Sequence, residues 1–168
     1  MEKVLISGCL LGLKVRYHRG DALIDSEIIK RWAKEGRLVS ICPEVSAGLP
    51  IPRPPGEITY GTAKDVLKGK AKVLTQTGID KTEAFIKGAF QTLALAEKFN
   101  IKVAVLKKDS PSCGNSSVYD GSFSGKIISG SGVTAQLLKD NAFRIFNELE
   151  LNEADVYLRS LNALHKST

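Results

Sequence analysis

Three cysteines, Cys9, Cys42 and Cys113, are the residues of this sequence with most to offer chemically. Each follows a short apolar segment that reads as a β-strand: Val4-Leu5-Ile6, Leu38-Val39-Ser40-Ile41, and the run 101–106. Ligands of an open α/β sheet bind beyond the carboxyl ends of its strands, so cysteines far apart in sequence are expected to meet on one edge. The bland alternative is three buried thiols acting as small hydrophobes. As metal ligands they fall short of a closed structural zinc site, which wants four, and neither His18 nor His165 sits at ligand spacing. A [4Fe–4S] cluster usually takes four cysteines, so three leave one iron open to a substrate, as a Lewis acid with an affinity for soft sulfur.

Such a centre needs acid/base and positioning groups nearby. With only two histidines, carboxylates come first, and Glu44 stands two residues after Cys42. Ser110 and Ser112 flank Pro111 just before Cys113, where hydroxyls orient a ligand or simply make a turn. Arg53 offers a guanidinium fork to an anion. Gly130-Ser131-Gly132-Val133-Thr134-Ala135 has G-x-G-x-x-A spacing ahead of a helix, so the backbone at Gly132 and Thr134 is a candidate anion site. A dinucleotide fingerprint belongs in the opening βαβ unit, so anion binding or plain helix entry is expected here and NAD is not.

The elements that must position these residues alternate. After the first strand, Asp25 or Ser26 caps a helix carrying Ile28, Ile29 and Trp32 and stopped at Gly36, and the second strand completes a βαβ unit. Five prolines between Cys42 and Pro55 predict an ordered extended loop with neither helix nor central strand. Capping-box spacing at Asp80-Lys81-Thr82-Glu83 opens a long helix to Asn100, its core face Phe85, Ile86, Ala89, Phe90, Leu93 and Ala94. A strand over 101–106, a Gly/Ser-rich run to Gly132, a helix over 133–140, a strand near 143–146 and a helix from Asn152 to about His165 follow. The expected architecture is α/β, a single Rossmann-like domain over residues 1–168 with a mostly parallel sheet flanked by helices.

With 168 residues, 43% hydrophobic and 25% charged, the chain is long and apolar enough for a real core, which excludes disorder and fibres. No apolar run approaches the ~20 residues of a membrane span, so no membrane is expected. Ile6-Ser7-Gly8-Cys9 has the look of a lipoprotein cleavage site, but the stretch between Lys3 and Cys9 is too short for a signal's apolar region. An odd cysteine count without scaffold density predicts a reducing cytoplasm. The net charge of +6 attracts anions or reflects an evenly solvated basic surface.

Taken in order, Ser7-Gly8-Cys9-Leu10-Leu11-Gly12 with Val15-Arg16-Tyr17, Cys42-Pro43-Glu44 running to Gly48-Leu49-Pro50 and Pro52-Arg53, and Ser110-Pro111-Ser112-Cys113-Gly114 resemble the bacterial thiouracil desulfurase family. The resemblance extends through GIDKTEAFIKG (78–88) and GVTAQLL (132–138) and so spans nearly the whole chain. It implies a Rossmann-like domain with a [4Fe–4S] cluster on three cysteines, matched by Cys9, Cys42 and Cys113, whose free iron binds the sulfur of a thiolated pyrimidine. It also implies catalytic help from Glu44 and from Ser110 or Ser112. The chain departs from the family pattern at Tyr17-His18-Arg19-Gly20 and after Phe143, which bears on substrate choice. The expected activity is hydrolytic, turning C=S into C=O with release of hydrosulfide from a small thiopyrimidine. Nucleic acid is not favoured as a partner and no obligate protein partner is inferred. The alternatives are a metal-free nucleotide- or anion-binding α/β module and a cysteine-based redox or metal sensor.

Overall fold

A computed structural model describes residues 1–164. In chain order the elements are β1 (Val4–Ser7), α1 (Glu27–Lys34), β2 (Leu38–Ile41), α2 (Pro43–Ser46), β3 (Gly56–Thr59), α3 (Ala63–Leu67), β4 (Lys72–Thr75), α4 (Thr82–Lys98), β5 (Val103–Leu106), β6 (Ser117–Tyr119), β7 (Ile127–Ser129), α5 (Val133–Asp140), β8 (Arg144–Asn147) and α6 (Leu151–Leu164). A 3-10 turn over Gly8–Leu11 continues directly from β1.

Four strands form one parallel sheet in the order β2-β1-β5-β8. Val4 and Ile6 of β1, with Val103 and Val105 of β5, face Ile29 and Trp32 of α1 and Ala154 and Leu158 of α6. Leu5, Ala104 and Leu106 face the other way, onto Phe85, Ala89 and Leu93 of α4 and onto α5. Alternate side chains thus feed two apolar layers, which is why these strands read as unbroken hydrophobic runs. The order has a functional consequence. From β1 the chain crosses to β2 on one side and later to β5 on the other, so a crevice opens at the carboxyl ends of these three strands, where α/β sheets bind ligands.

Ser26 caps α1 by accepting the Ile28 N–H at 3.2 Å, and Gly36 ends the turn beyond it with φ of 67°. On the apolar face of α4, Phe85, Gly88, Ala89, Thr92, Leu93 and Ala96 are buried, while Phe90, expected inside, is 53% exposed, and Ala94, also expected inside, is exposed too. Thr92 and Ala96 extend the 85–89 stripe at helical spacing and displace the other two. Asp80 accepts the Thr82 N–H, but Lys81 is the residue at the cap, and the reciprocal capping box lies instead at Thr62 and Asp65. His165, expected near the last helix's end, lies outside the described residues.

The Pro-rich loop and the Gly/Ser-rich run hold regular structure where none was expected, and the segment between Pro55 and Asp80, for which the sequence offers no expectation, is ordered as well. The proline-rich loop begins with a helix, α2, because Pro43 occupies its first turn, where a missing N–H leaves nothing unsatisfied and a fixed φ is already helical. Residues 56–75 contain an antiparallel pair, β3 with β4, spanned by α3. The Gly/Ser-rich run folds into a second hairpin, β6 with β7. Each of these strands has only three or four residues, too short for a periodic signal in sequence. No helix among the described residues is long and apolar enough to cross a membrane.

Candidate functional site

All three cysteines line one cavity of about 330 Å³ at the carboxyl edge of the sheet. Cys9 sits in the 3-10 turn that ends β1, Cys42 caps α2 after β2, and Cys113 occupies a turn beyond β5. Close approach of helices sets this edge. A Cβ on Gly88 of α4 would stand 2.2 Å from the Pro43 carbonyl oxygen, so only glycine lets α4 bring the Cys42 turn down onto the core.

The thiols are free and sit poorly as isolated anions. Burial first, then the neighbouring Cys42, pushes the Cys9 thiol up to about 11. Burial also raises Cys42, an effect partly offset by backbone N–H groups of Val45 and Glu44. Cys113 is raised by burial, opposed by the Ser7 hydroxyl bonded to its sulfur, and it feels the charges of both other cysteines. Burial and mutual repulsion both favour the protonated thiols, so ionising them together takes a compensating positive charge. Among the described residues no trio of His, Cys, Asp or Glu is arranged to hold one metal ion. Three thiols lining one cavity are a donor set that an iron–sulfur core accepts, with one iron left without a protein thiolate.

A model of the 2-thiouracil desulfurase family matches residues 4–150. The chain belongs to this family. It is 47% identical over 150 residues to the uncharacterized protein YbbK of Bacillus subtilis (strain 168), across 89% of this chain and 98% of that protein. The solved structure of the [4Fe-4S]-dependent thiouracil desulfidase TudS superposes with a TM-score of 0.87 at 38% identity, across 95% of this chain and 99% of that one.

Within this desulfurase-family cavity the candidate side chains separate into two groups. Glu44 lines it, and Arg53 Nε donates to Glu44 Oε1 at 3.0 Å. The remaining Arg53 nitrogens donate to Pro50 O at 3.2 Å and Val15 O at 3.0 Å, with only 4% of the side chain exposed. Arg53 therefore lines the cavity without a free fork: it positions Glu44 and ties the proline-rich loop to residues 15–17, reinforced by its own N–H on Tyr17 O. Ser110 also faces the cavity. Its Oγ accepts the N–H groups of Ser112 and Cys113, both at 3.1 Å, which shapes the Cys113 turn.

Ser112, Gly132 and Thr134 are not brought into the cavity. Ser112 is fully buried and shares a 2.9 Å hydroxyl contact with Thr134 Oγ1. The N–H groups at the start of α5 are taken up as well: Val133 donates to Pro111 O, while Thr134 and Ala135 donate to Ser112 O. A Cβ on Gly132 would meet Ser112 backbone at 2.4 Å. The G-x-G-x-x-A segment thus buttresses the Cys113 turn from behind, and the glycine serves close packing where an anion site was expected.

Further residues join the cavity, Arg16 and Tyr17 from a segment already singled out by the family resemblance, Glu57 and Asp109 as carboxylates standing in reserve behind Glu44, and Lys107, Tyr119 and Phe123 without a signal in sequence. Arg16 and Tyr17 come from the loop after Cys9, Glu57 from β3, Lys107 and Asp109 from the end of β5, and Tyr119 and Phe123 from the second hairpin. Lys107 is held by Glu148 at 2.5 Å. His18, at the point of departure from the family pattern, packs edge-on against Tyr17 at 4.7 Å and accepts the Gly20 N–H. Only strand topology gathers these positions.

Proposed function

We propose that the protein is a [4Fe–4S]-dependent desulfidase that exchanges the C=S of a thiolated pyrimidine for C=O with water and releases hydrosulfide. Cys9, Cys42 and Cys113 would hold the cluster. The observation that carries this reading is the opening of three cysteine turns, from three strands, onto one cavity that also contains a fixed carboxylate. When bound, the cluster would supply a Lewis-acidic iron with affinity for soft sulfur, which would make the substrate's sulfur a better leaving group.

The chain's own residues supply the rest. Arg53 holds Glu44 by one oxygen, and the second oxygen is left to orient a water against the ring carbon and accept its proton. That proton passes to the departing sulfur, which leaves as hydrosulfide, and the added hydroxyl loses its own proton to solvent as the C=O forms, so water's oxygen replaces sulfur and no electrons are exchanged. Ser110 uses its oxygen as a double acceptor within the turn, which leaves its O–H to donate toward the cavity and hold a ring carbonyl or the water. Val15, Ile41 and Pro43 contribute apolar wall.

The test is turnover of 2-thiouracil by anaerobically prepared holoprotein, expected to yield uracil and sulfide one for one without reductant. Glu44→Gln is expected to keep its iron and lose roughly 10²–10⁴ in kcat, the range for removing a general acid or base. No turnover of thiobase, thionucleoside or thionucleotide by iron-replete protein would refute the reading in favour of a sensor.

A further inference from the structure

Besides Glu44 the cavity is lined by Asp109 and Glu57, and the proposed reaction leaves Glu57 unused. Glu57 on β3 is 7% exposed, and its Oε2 accepts two backbone N–H groups, from Gly121 at 2.8 Å and Phe123 at 3.2 Å. Both donors lie at the tip of the β6–β7 hairpin. The hairpin's base is tied by Ser117 to Asp109 and by the Gly130 N–H to Ser116 O, but β7 is exposed along its whole length. A buried carboxylate needs hydrogen bonds to carry its charge. Glu57 and the hairpin tip therefore hold each other in place.

The residue so held is aromatic. Phe123 lines the same cavity as the three cysteines, as does Tyr119. Its φ is 57°, a left-handed conformation unusual for a side chain of this size, and it belongs to neither apolar core layer. Core packing does not explain a strained aromatic that faces a cavity. Strain of this kind persists where the surroundings over-determine it, characteristically at ligand clamps.

We infer that Phe123 is a substrate-contacting residue whose ring stacks on the flat thiopyrimidine, and that Glu57 is a positioning residue strapping Phe123 over the cavity. The inference rests on the desulfidase reading for the identity of the ring. Ring stacking recognises any base through its π-face, so Phe123 favours planar heteroaromatic thiocarbonyls over small aliphatic ones such as thioacetamide.

The experiment compares wild type with Phe123→Leu, Glu57→Ala, Glu57→Gln and the Phe123→Leu/Glu57→Ala double variant, as holoproteins of matched iron content. Phe123→Leu is expected to raise KM for 2-thiouracil roughly 10-fold, within the range for losing one stacked base, with kcat within about threefold. Glu57→Ala should do the same, and the double variant should be no worse than either alone. Glu57→Gln should recover most of the loss relative to Glu57→Ala, since an amide oxygen still accepts both N–H groups. Amide hydrogen exchange at Gly121 and Phe123 should accelerate in Glu57→Ala and stay slow in Phe123→Leu. An unchanged KM in Phe123→Leu, or unchanged exchange in Glu57→Ala, overturns the inference. Collapse of kcat in Glu57→Gln at unchanged KM overturns it too, making Glu57 a proton carrier. If wild type turns over no thiopyrimidine, equilibrium dialysis with 2-thiouracil decides: binding that Phe123→Leu weakens supports the strap while the desulfidase reading fails, and no binding overturns both.

Discussion

Replacing Arg53 by Met keeps most of the stem volume and removes the guanidinium, which separates two roles for this residue. In the structure Arg53 is a buried positioning group: its side chain is 4% exposed and its nitrogens reach Glu44 Oε1, Pro50 O and Val15 O. Removing one partner of a buried ion pair costs about 3–5 kcal/mol. Glu44 is 18% exposed and regains some hydration, which puts the expected loss at the low end, about 3 kcal/mol. For a chain of this size each kcal/mol lowers Tm by roughly 2–4 °C, so Arg53→Met should melt about 6–12 °C below wild type. Calorimetry under nitrogen, at one scan rate and matched iron content, measures it. Arg53→Lys should recover only part, since an ammonium cannot serve three divergent acceptors in the plane of a guanidinium. A fork that binds a substrate anion would behave differently: Arg53→Met would shift Tm by less than about 2 °C and raise KM for phosphorylated substrates alone. That result would refute the positioning role.

Replacement of Cys9, Cys42 or Cys113 by Ser should each strip most of the iron and the broad visible absorbance, because a hydroxyl is a harder and poorer ligand than a thiolate; a variant with full iron and full turnover removes its cysteine from the ligand set. Gly88→Ala places a Cβ 2.2 Å from Pro43 O and should cost about 1–3 kcal/mol by forcing α4 away from the Cys42 turn, read as a shifted denaturation midpoint together with looser iron retention. Asp155 is buried between α1 and α6; burial works against its charge, but bonds from Arg31 and the Trp32 indole, with Arg159 nearby, hold its carboxyl below the usual range. A depressed carboxyl contributes stability that is fully present above the unfolded value of about 3.9 and fades as pH falls below it, so Asp155→Asn should be less stable than wild type at neutral pH and lose less on acidification to pH 3.

The sequence by itself determined the frame and the donor set. Buried parallel strands take apolar residues on both faces, so β1 and β5 were legible as unbroken runs, and Ser26 and Gly36 marked the ends of α1 through local backbone chemistry. Cysteines at three strand ends, with Glu44 beside one of them, also follow from the linear order, since a parallel sheet places all those ends on one edge. What only the tertiary structure decided is which way each neighbouring group faces. Arg53 turned from an anion fork into Glu44's anchor because Val15, 38 positions away, meets it through folding alone and, with the nearby Pro50 carbonyl, takes up the rest of the guanidinium. Gly132 and Thr134 went behind the Cys113 turn because the first N–H groups of α5 find the carbonyls of Pro111 and Ser112 before any ligand does. Glu57 and Phe123 lie on separate hairpins of strands with three or four residues, and their pairing is a long-range contact between a side chain and a backbone. Local propensity and periodicity describe a residue's own segment; a hydrogen bond across 66 positions is chosen by the packing of everything between.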